Sequence, residues 1–319
     1  MPLPTGADGA VEQNPWAFYP VFPLLARLVM RVTGLDFYAA GSSLSLVLGA
    51  LAMLALFRLV DEAVGRWSAI VAVVGTTTYL AAPVLQTSYT ESAALLVVVL
   101  TLMALRARRY VLTLVALVVL ALTRNIVLAM APVMLAHFAI RWLRRDVERF
   151  PRRHQGVVLA LAAASVALTW LWPTIVGRVT GDSDGYTRTM AAWRVIASEV
   201  KLHTWIDYLK YDYGYAGWAF AAVSVVVFVV SKCSPHRTQR WGPELWGWAG
   251  AYPAYQVLVT GIGPSRVRYA LLAFPSPCSW GGFSTCGGGG VGEWVASLVG
   301  VGCRRVALQG WWIWNYWII

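Results

Sequence analysis

Charge is the first thing this sequence has little of. Only 13% of its 319 residues are Asp, Glu, Lys or Arg, while 58% are apolar. A soluble chain of this size carries about a quarter charged residues. There is too little polar side chain here to cover a water-soluble globule. The mean hydropathy of +0.60 agrees, and the chain reads as an integral membrane protein. Acidic residues are scarcer still, 15 against 26 Lys and Arg, for a formal net charge of +11. In a membrane protein such an excess is first a topology signal. The basic residues lie between apolar runs and not on one soluble face, so nucleic acid is not expected as a partner.

Other absences remove whole chemistries. The four cysteines, Cys233, Cys278, Cys286 and Cys303, have no paired ligand spacing. That argues against a disulfide framework and against a zinc site. No Walker A loop, GxGxxG, HExxH, CxxC or GxSxG is present, so a P-loop nucleotide, a zincin site and a nucleophile elbow are not expected. The first residues, "MPLPTGADGAVEQNP", lack both a basic n-region and an apolar h-region, and do not read as a signal peptide.

What is present is a series of apolar runs. A helix needs about 20 such residues to cross the hydrocarbon core. Candidates are 37–60, 67–86, 156–179, 215–231 and 245–262, with a short run at 92–105 and an interrupted one at 110–140. One helix through 110–140 would leave Arg124 near the membrane centre, at about 2.5–3.5 kcal/mol or more. Two helices turning at "TRN" (123–125) avoid that cost. Both flanks of the run, "RARR" (106–109) and "RWLRRDVERFPRR" (141–153), are basic and belong on the cytoplasmic side. An even number of crossings between them requires the hairpin.

Alternation then places 60–66 and 232–240 inside. It places 89–92, 122–125, the loop 180–214 and 263–269 outside, together with everything before residue 37. With no span ahead of that outer segment, the chain reads as N-terminally shortened. The expected class is all-α and multi-pass, with about nine membrane segments, some short or re-entrant. Residues 1–36 form an outer-face segment, 37–275 the transmembrane domain, and 276–319 an irregular end. The Gly, Ser, Trp and Cys usage of 276–303 reads as a flexible loop or a disturbed reading frame, and no functional residue is assigned there.

Polar residues collect on the predicted outer side. Asp8 and Glu12, Tyr89 to Glu91, Thr123 to Asn125, Asp182 to Arg188, and Arg266, Arg268 and Tyr269 come from separate segments. Each has an ordinary reading, such as a helix-start Glu91 favoured by the macrodipole or a snorkelling Arg124. Their convergence favours a site. Arginine pairs suit a phosphate, and a carboxylate suits general-base work on a hydroxyl.

Four stretches in order give a more specific signal: "VEQNPWAFYPVFPLLARL" (11–28), "SYTES" (88–92), "LALTRN" (120–125) and "SRVRYALLAFP" (265–275). They resemble elements of the PIG-V family, membrane mannosyltransferases of the GT-C superfamily, whose outer-loop segment is of the type AFFPxxPLLxR behind a glutamate. Glu12, Ala17, Phe18, Tyr19, Pro20, Pro23, Leu24, Leu25 and Arg27 stand in matching places. The resemblance implies a GT-C-like fold in which 12–27 is a short amphipathic helix at the outer interface. It implies transfer of a sugar, mannose in the family, from a polyprenyl-phosphate donor to a glycolipid or glycan acceptor on the outer face. The Ala-, Val- and Arg-rich usage of the sequence leans towards a GC-rich bacterium and its plasma membrane. Membrane lipid is then a partner; no cofactor is evident, no metal ligand is assigned, and a divalent metal requirement is left open.

The expected site residues are Glu12 and Glu91 as catalytic carboxylates, and Arg124, Arg266, Arg268 and Tyr269 at the donor phosphate. Phe18, Tyr19, Tyr89, Thr90 and Asn125 line the cavity. The family's Trp-Asp motif, whose Asp is its usual candidate base, has no match in this chain, and the expectation is weak or no transfer by this polypeptide alone. The alternative is a non-enzymatic transporter or assembly partner, which would place its polar residues near the membrane midplane.

Overall fold

The computed structural model describes residues 2–6, 9–79, 81–193, 235–259 and 268–274, with helix placement alone over 235–240. Regular structure there is helical, apart from one isolated bridge between Thr5 and Val11. The helices are α1 (Val21–Thr33), α2 (Phe37–Val64), α3 (Arg66–Thr77), α4 (Glu91–Arg106), α5 (Tyr110–Thr123), α6 (Met130–Leu143), α7 (Arg152–Ala167), α8 (Leu171–Thr180), α9 (Gly185–Ala192) and α10 (Pro235–Val259). Among the described residues, two helical stretches are long and apolar enough to cross a bilayer, Phe37–Val64 and Arg152–Thr180. The apolar helices Tyr110–Thr123 and Val127–Leu143 are shorter.

Local chemistry explains most boundaries. Helix α1 begins behind Pro20 with Pro23 in its first turn, where a missing N–H costs nothing. It ends at Gly34 in the left-handed region, φ 74°, whose N–H reaches the Met30 carbonyl. Phe22 and Ala26 are buried, while Leu24, Leu28 and Val32 are exposed. These two sets, each spaced by four, give α1 one face on the bundle and a second apolar face uncovered. The Asp36 side chain caps α2 by accepting the Ala39 N–H at 2.7 Å.

The expected span 67–86 is corrected. The helix stops at Thr77, and a 3-10 turn follows at Ala82–Gln86. The hydroxyls of Thr76, Thr77 and Thr78 donate back to the carbonyls of Ala72, Val73 and Val74, which weakens a helix end, and Pro83 lies in the first turn of the 3-10 piece. The expected span 156–179 exists as a longer run with a 3-10 step at Leu168–Trp170. The expected 245–262 begins earlier, at Pro235, and carries a break at Gly242 (φ 74°) before Pro243. The candidate 215–231 and the irregular 276–319 lie outside the described residues.

The interrupted run 110–140 does split at the arginine. Helix α5 ends at Thr123, Arg124 is extended (φ −164°, ψ 150°), and the chain re-enters through a 3-10 turn at Val127–Ala129.

Helix α2 packs mainly on α3 and α4, α4 on α5, and α6 on α7 and α10. The core between them holds Leu56, Leu95, Leu102, Leu117, Leu120, Met130 and Trp248. Two ends of this bundle can be told apart by their contacts. At one end Arg106 reaches the Glu62 carbonyl and Glu244, Arg108 pairs with Glu148, and Arg141 donates to the Arg149 carbonyl. The basic stretches 106–109 and 141–153 therefore share an end with 60–66. The other end lies one length of α4 away, about 22 Å, and begins at Glu91.

Candidate functional site

The approach of α2 to the turn before α4 sets the position of Glu91. Gly41, Ser45, Gly49 and Ala52 form a buried stripe of small residues on α2. A Cβ at Gly41 would lie 2.5 Å from Ser88 Oγ and 2.8 Å from Ser88 Cβ, so only glycine admits the turn this closely. Ser45 Oγ donates to the Tyr89 carbonyl at 3.4 Å, Ser88 Oγ to the Tyr38 carbonyl at 3.3 Å, and Ser92 Oγ to the Leu85 carbonyl at 3.0 Å. Glu91 is thereby fixed in the first turn of α4, where the macrodipole favours an anion.

Two arginines from distant segments close on it. Arg124 Nη1 stands 2.9 Å, and Arg268 Nε 2.8 Å, from the same carboxylate oxygen, Glu91 Oε1. Arg124 Nη1 also donates to Thr90 Oγ1 at 3.3 Å. Its guanidinium lies 4.4 Å above the Tyr269 ring, and that of Arg268 lies 4.5 Å above Tyr89 and 5.2 Å from Tyr269. The aromatic faces add cation–π attraction. The Glu91 side chain is 1% exposed, whereas Arg124 and Arg268 are 15% and 20% exposed. One carboxylate against two guanidiniums leaves one positive charge in a mostly buried place. Such a surplus is costly without a counter-anion, so the arrangement suits an anionic ligand.

Helix α10 braces this cluster from below. Trp248 and Tyr252 stack at 4.8 Å, and Tyr255 continues the stack at 6.3 Å from Tyr252. Trp248 Nε1 donates to the Leu272 carbonyl at 2.9 Å, and the Tyr252 hydroxyl to the Tyr269 carbonyl at 2.9 Å. The Tyr255 hydroxyl donates to the Asn125 carbonyl. Both arginine-bearing segments are thus tied to α10. The sequence reading missed this brace; its signal is the aromatic spacing at 248, 252 and 255.

The segment 13–19 meets α8 and α9. Gln13 Nε2 donates to the Ala192 carbonyl (3.3 Å), Asn14 Nδ2 to Thr189 Oγ1 (3.2 Å), Trp172 Nε1 to the Trp16 carbonyl (3.2 Å) and Trp193 Nε1 to the Asn14 carbonyl (3.1 Å). The Tyr19 and Tyr186 hydroxyls stand 3.2 Å apart. Burial, then the nearby Tyr186, push the Tyr19 phenol above its ordinary range; Tyr255 raises it further and Arg124 lowers it, in smaller measure. Tyr19 therefore stays protonated and within electrostatic reach of Arg124.

Of the expected site residues, Tyr89, Thr90, Glu91, Arg124, Asn125, Arg268 and Tyr269 come together, while Tyr19 packs against Tyr186 and Trp172. Phe18 is exposed and meets Trp193 edge-on at 5.0 Å. Glu12 is exposed and enters no ion pair among the described residues. Its N–H is held by the Pro4 carbonyl, as the bridge Thr5–Val11 folds the first residues on themselves. Arg266 and Asp8 lie outside the described residues. Among those residues no group of three or more His, Cys, Asp or Glu gathers as a metal site.

A second buried ionic group was not anticipated. His137 Nδ1 and Glu244 Oε1 are 2.6 Å apart, and Arg106 Nη1 is 4.0 Å from Glu244 Oε2.

In comparisons with known proteins, no family model matches the chain, and no curated protein or solved structure matches it.

Proposed function

We propose that the chain is a multi-pass glycosyltransferase of the GT-C type, with its site at the outer face of a bacterial plasma membrane. The reaction is transfer of a sugar, mannose by the resemblance to the PIG-V family, from a polyprenyl-phosphate donor to a glycolipid or glycan acceptor, at a rate that is weak or nil in this polypeptide alone, where the family's Trp-Asp motif has no match. The observation that carries this reading is the cationic cluster of Arg124 and Arg268 about Glu91. It draws on three of the four stretches that resemble the family, and it stands at the end away from the basic loops. The donor phosphate meets the guanidiniums there while its tail stays in lipid. The exposed apolar face of α1, Leu24, Leu28 and Val32, suits a helix lying in the interface beside them. At transfer the anomeric carbon exchanges its bond to the phosphate oxygen for one to the acceptor oxygen, and the acceptor hydroxyl's proton passes to the departing phosphate or to water. The arginines stabilise the charge left on the departing phosphate.

The test is transfer of labelled mannose from a polyprenyl-phosphate donor in membranes carrying this protein. Wild-type transfer that is lost in Arg124→Ala and Arg268→Ala supports the proposal. Transfer undiminished in both variants would overturn it. Solute flux through proteoliposomes without any transfer would favour a transporter instead.

A further inference from the structure

The natural role for a carboxylate in such a site is the base, and the sequence reading gave Glu91 that role. The geometry points elsewhere. Both Glu91 oxygens are sealed from solvent, and Oε1 is covered by Arg124 and Arg268 together. A base must reach the proton it removes. What the site leaves open is cationic, since the arginines keep 15% and 20% of their side-chain surface. The carboxylate stands behind them, in the first turn of α4.

Its effect there is on charge and aim. Counted over the described residues Glu91, Arg124 and Arg268, the cluster carries one surplus positive charge with Glu91 and two without it. The two sides of the proposed reaction differ in charge in the same way. A polyprenyl-phosphate sugar is a phosphodiester with one negative charge. The polyprenyl phosphate left after transfer is a monoester, at about −1.5 to −2 near neutral pH. A site held at one positive charge matches the donor and leaves the product under-neutralised.

We propose that Glu91 is a positioning residue that aims Arg124 and Arg268 and limits their charge, so that the site selects a phosphodiester donor and releases the phosphomonoester product. This rests on the donor class proposed above.

The experiment measures binding of a polyprenyl phosphate and of its glycosyl diester to the detergent-purified protein at pH 7.5, in wild type and Glu91→Gln. In wild type the diester binds at least as tightly as the monoester. In Glu91→Gln the monoester tightens about tenfold or more relative to the diester. In the transfer assay kcat falls with product inhibition, and the acid limb of the pH–rate profile stays. Equal changes for both ligands, or loss of that acid limb with binding unchanged, would overturn the proposal. So would a wild type that binds the monoester more than tenfold tighter, a result that does not depend on the variant folding. If the binding pattern holds but no sugar is transferred, even with a Trp-Asp segment added ahead of the chain, the glycosyltransferase reading fails and the charge selection stands. If folded wild type binds neither phosphate, both fail.

Discussion

The bundle carries a buried glutamate at each end, and the two are built differently. Glu244 has separate partners on its two oxygens, His137 on Oε1 and Arg106 on Oε2. These come from α6 and α4, so one carboxylate on α10 ties three helices together. Arg141, at the same end, is covered: it donates to the Tyr110 hydroxyl at 3.0 Å and the Arg149 carbonyl at 3.3 Å, and stacks on Phe150 at 4.4 Å. Glu91 instead has two guanidiniums crowded on one oxygen and a net positive charge that remains partly open. The first arrangement is a clamp: each carboxylate oxygen has its own partner, and the extra cation, Arg141, is spent on a hydroxyl, a carbonyl and a ring. In the second, two cations share one oxygen beside an open edge. A buried ion pair is thus no sign of a site by itself; cations crowded on one oxygen at an open edge are.

The largest expected effect is on phosphate binding. Arg124→Ala or Arg268→Ala leaves no surplus charge, and loss of a buried charge partner costs about 2–5 kcal/mol in binding. Binding of a polyprenyl phosphate should weaken at least 30-fold in either variant, while Arg106→Ala at the other end leaves it unchanged. Equal losses at both ends would erase the distinction between clamp and site.

Stability should respond in the opposite place. Glu244→Ala leaves the buried His137 and the half-buried Arg106 without their carboxylate, and breaking a buried pair such as His137–Glu244 costs about 3–5 kcal/mol. Thermal unfolding in detergent should show a clear drop, with phosphate affinity of the surviving folded protein retained. A smaller effect links the Glu91 end to α2. Gly41→Ala would press a Cβ against Ser88, and overpacking of this kind costs about 1–3 kcal/mol. Because Ser88 lies in the turn that aims Glu91, transfer should fall along with stability. A Gly41→Ala protein of normal activity would show that the close approach is dispensable.

The two ends were also unequally legible. Arg124 could be placed at a turn because a charge in mid-membrane is expensive, and the chain does turn there. The motifs around Glu91 and Arg268 were visible because short polar signatures interrupt apolar sequence. His137 sits alone in an apolar helix and Glu244 follows a proline, and nothing local marks either one; their link exists only after α6 meets α10. The end of α3 was readable in principle, since three consecutive threonines and Pro83 all weaken a helix, but the apolar count alone ran through them. The exposed position of Glu12 was not legible, because a motif position says nothing of where a side chain sits once the first residues fold back.

The smallest expected effect sets the baseline for the comparison. Arg108 Nη2 and Glu148 Oε2 are only 2.8 Å apart, as close as Arg268 and Glu91, yet their side chains are 48% and 42% exposed. Distance alone would rank the two pairs together. Solvent separates them, because an exposed pair is screened and must hold two flexible side chains still, for a net of about 0.2–1 kcal/mol. The pair joins the turn between α4 and α5 to the segment before α7, so a weak tether is its whole expected role. A double-mutant cycle on Arg108→Ala and Glu148→Ala, read by thermal unfolding, should give a coupling in that range that fades at 1 M salt, where the screening length is about 3 Å. A coupling as large as the Glu244 effect, or one indifferent to salt, would mean that this end holds its surface charges as firmly as its buried ones. The contrast with Glu91 would then rest on burial alone and not on cations crowded at an open edge.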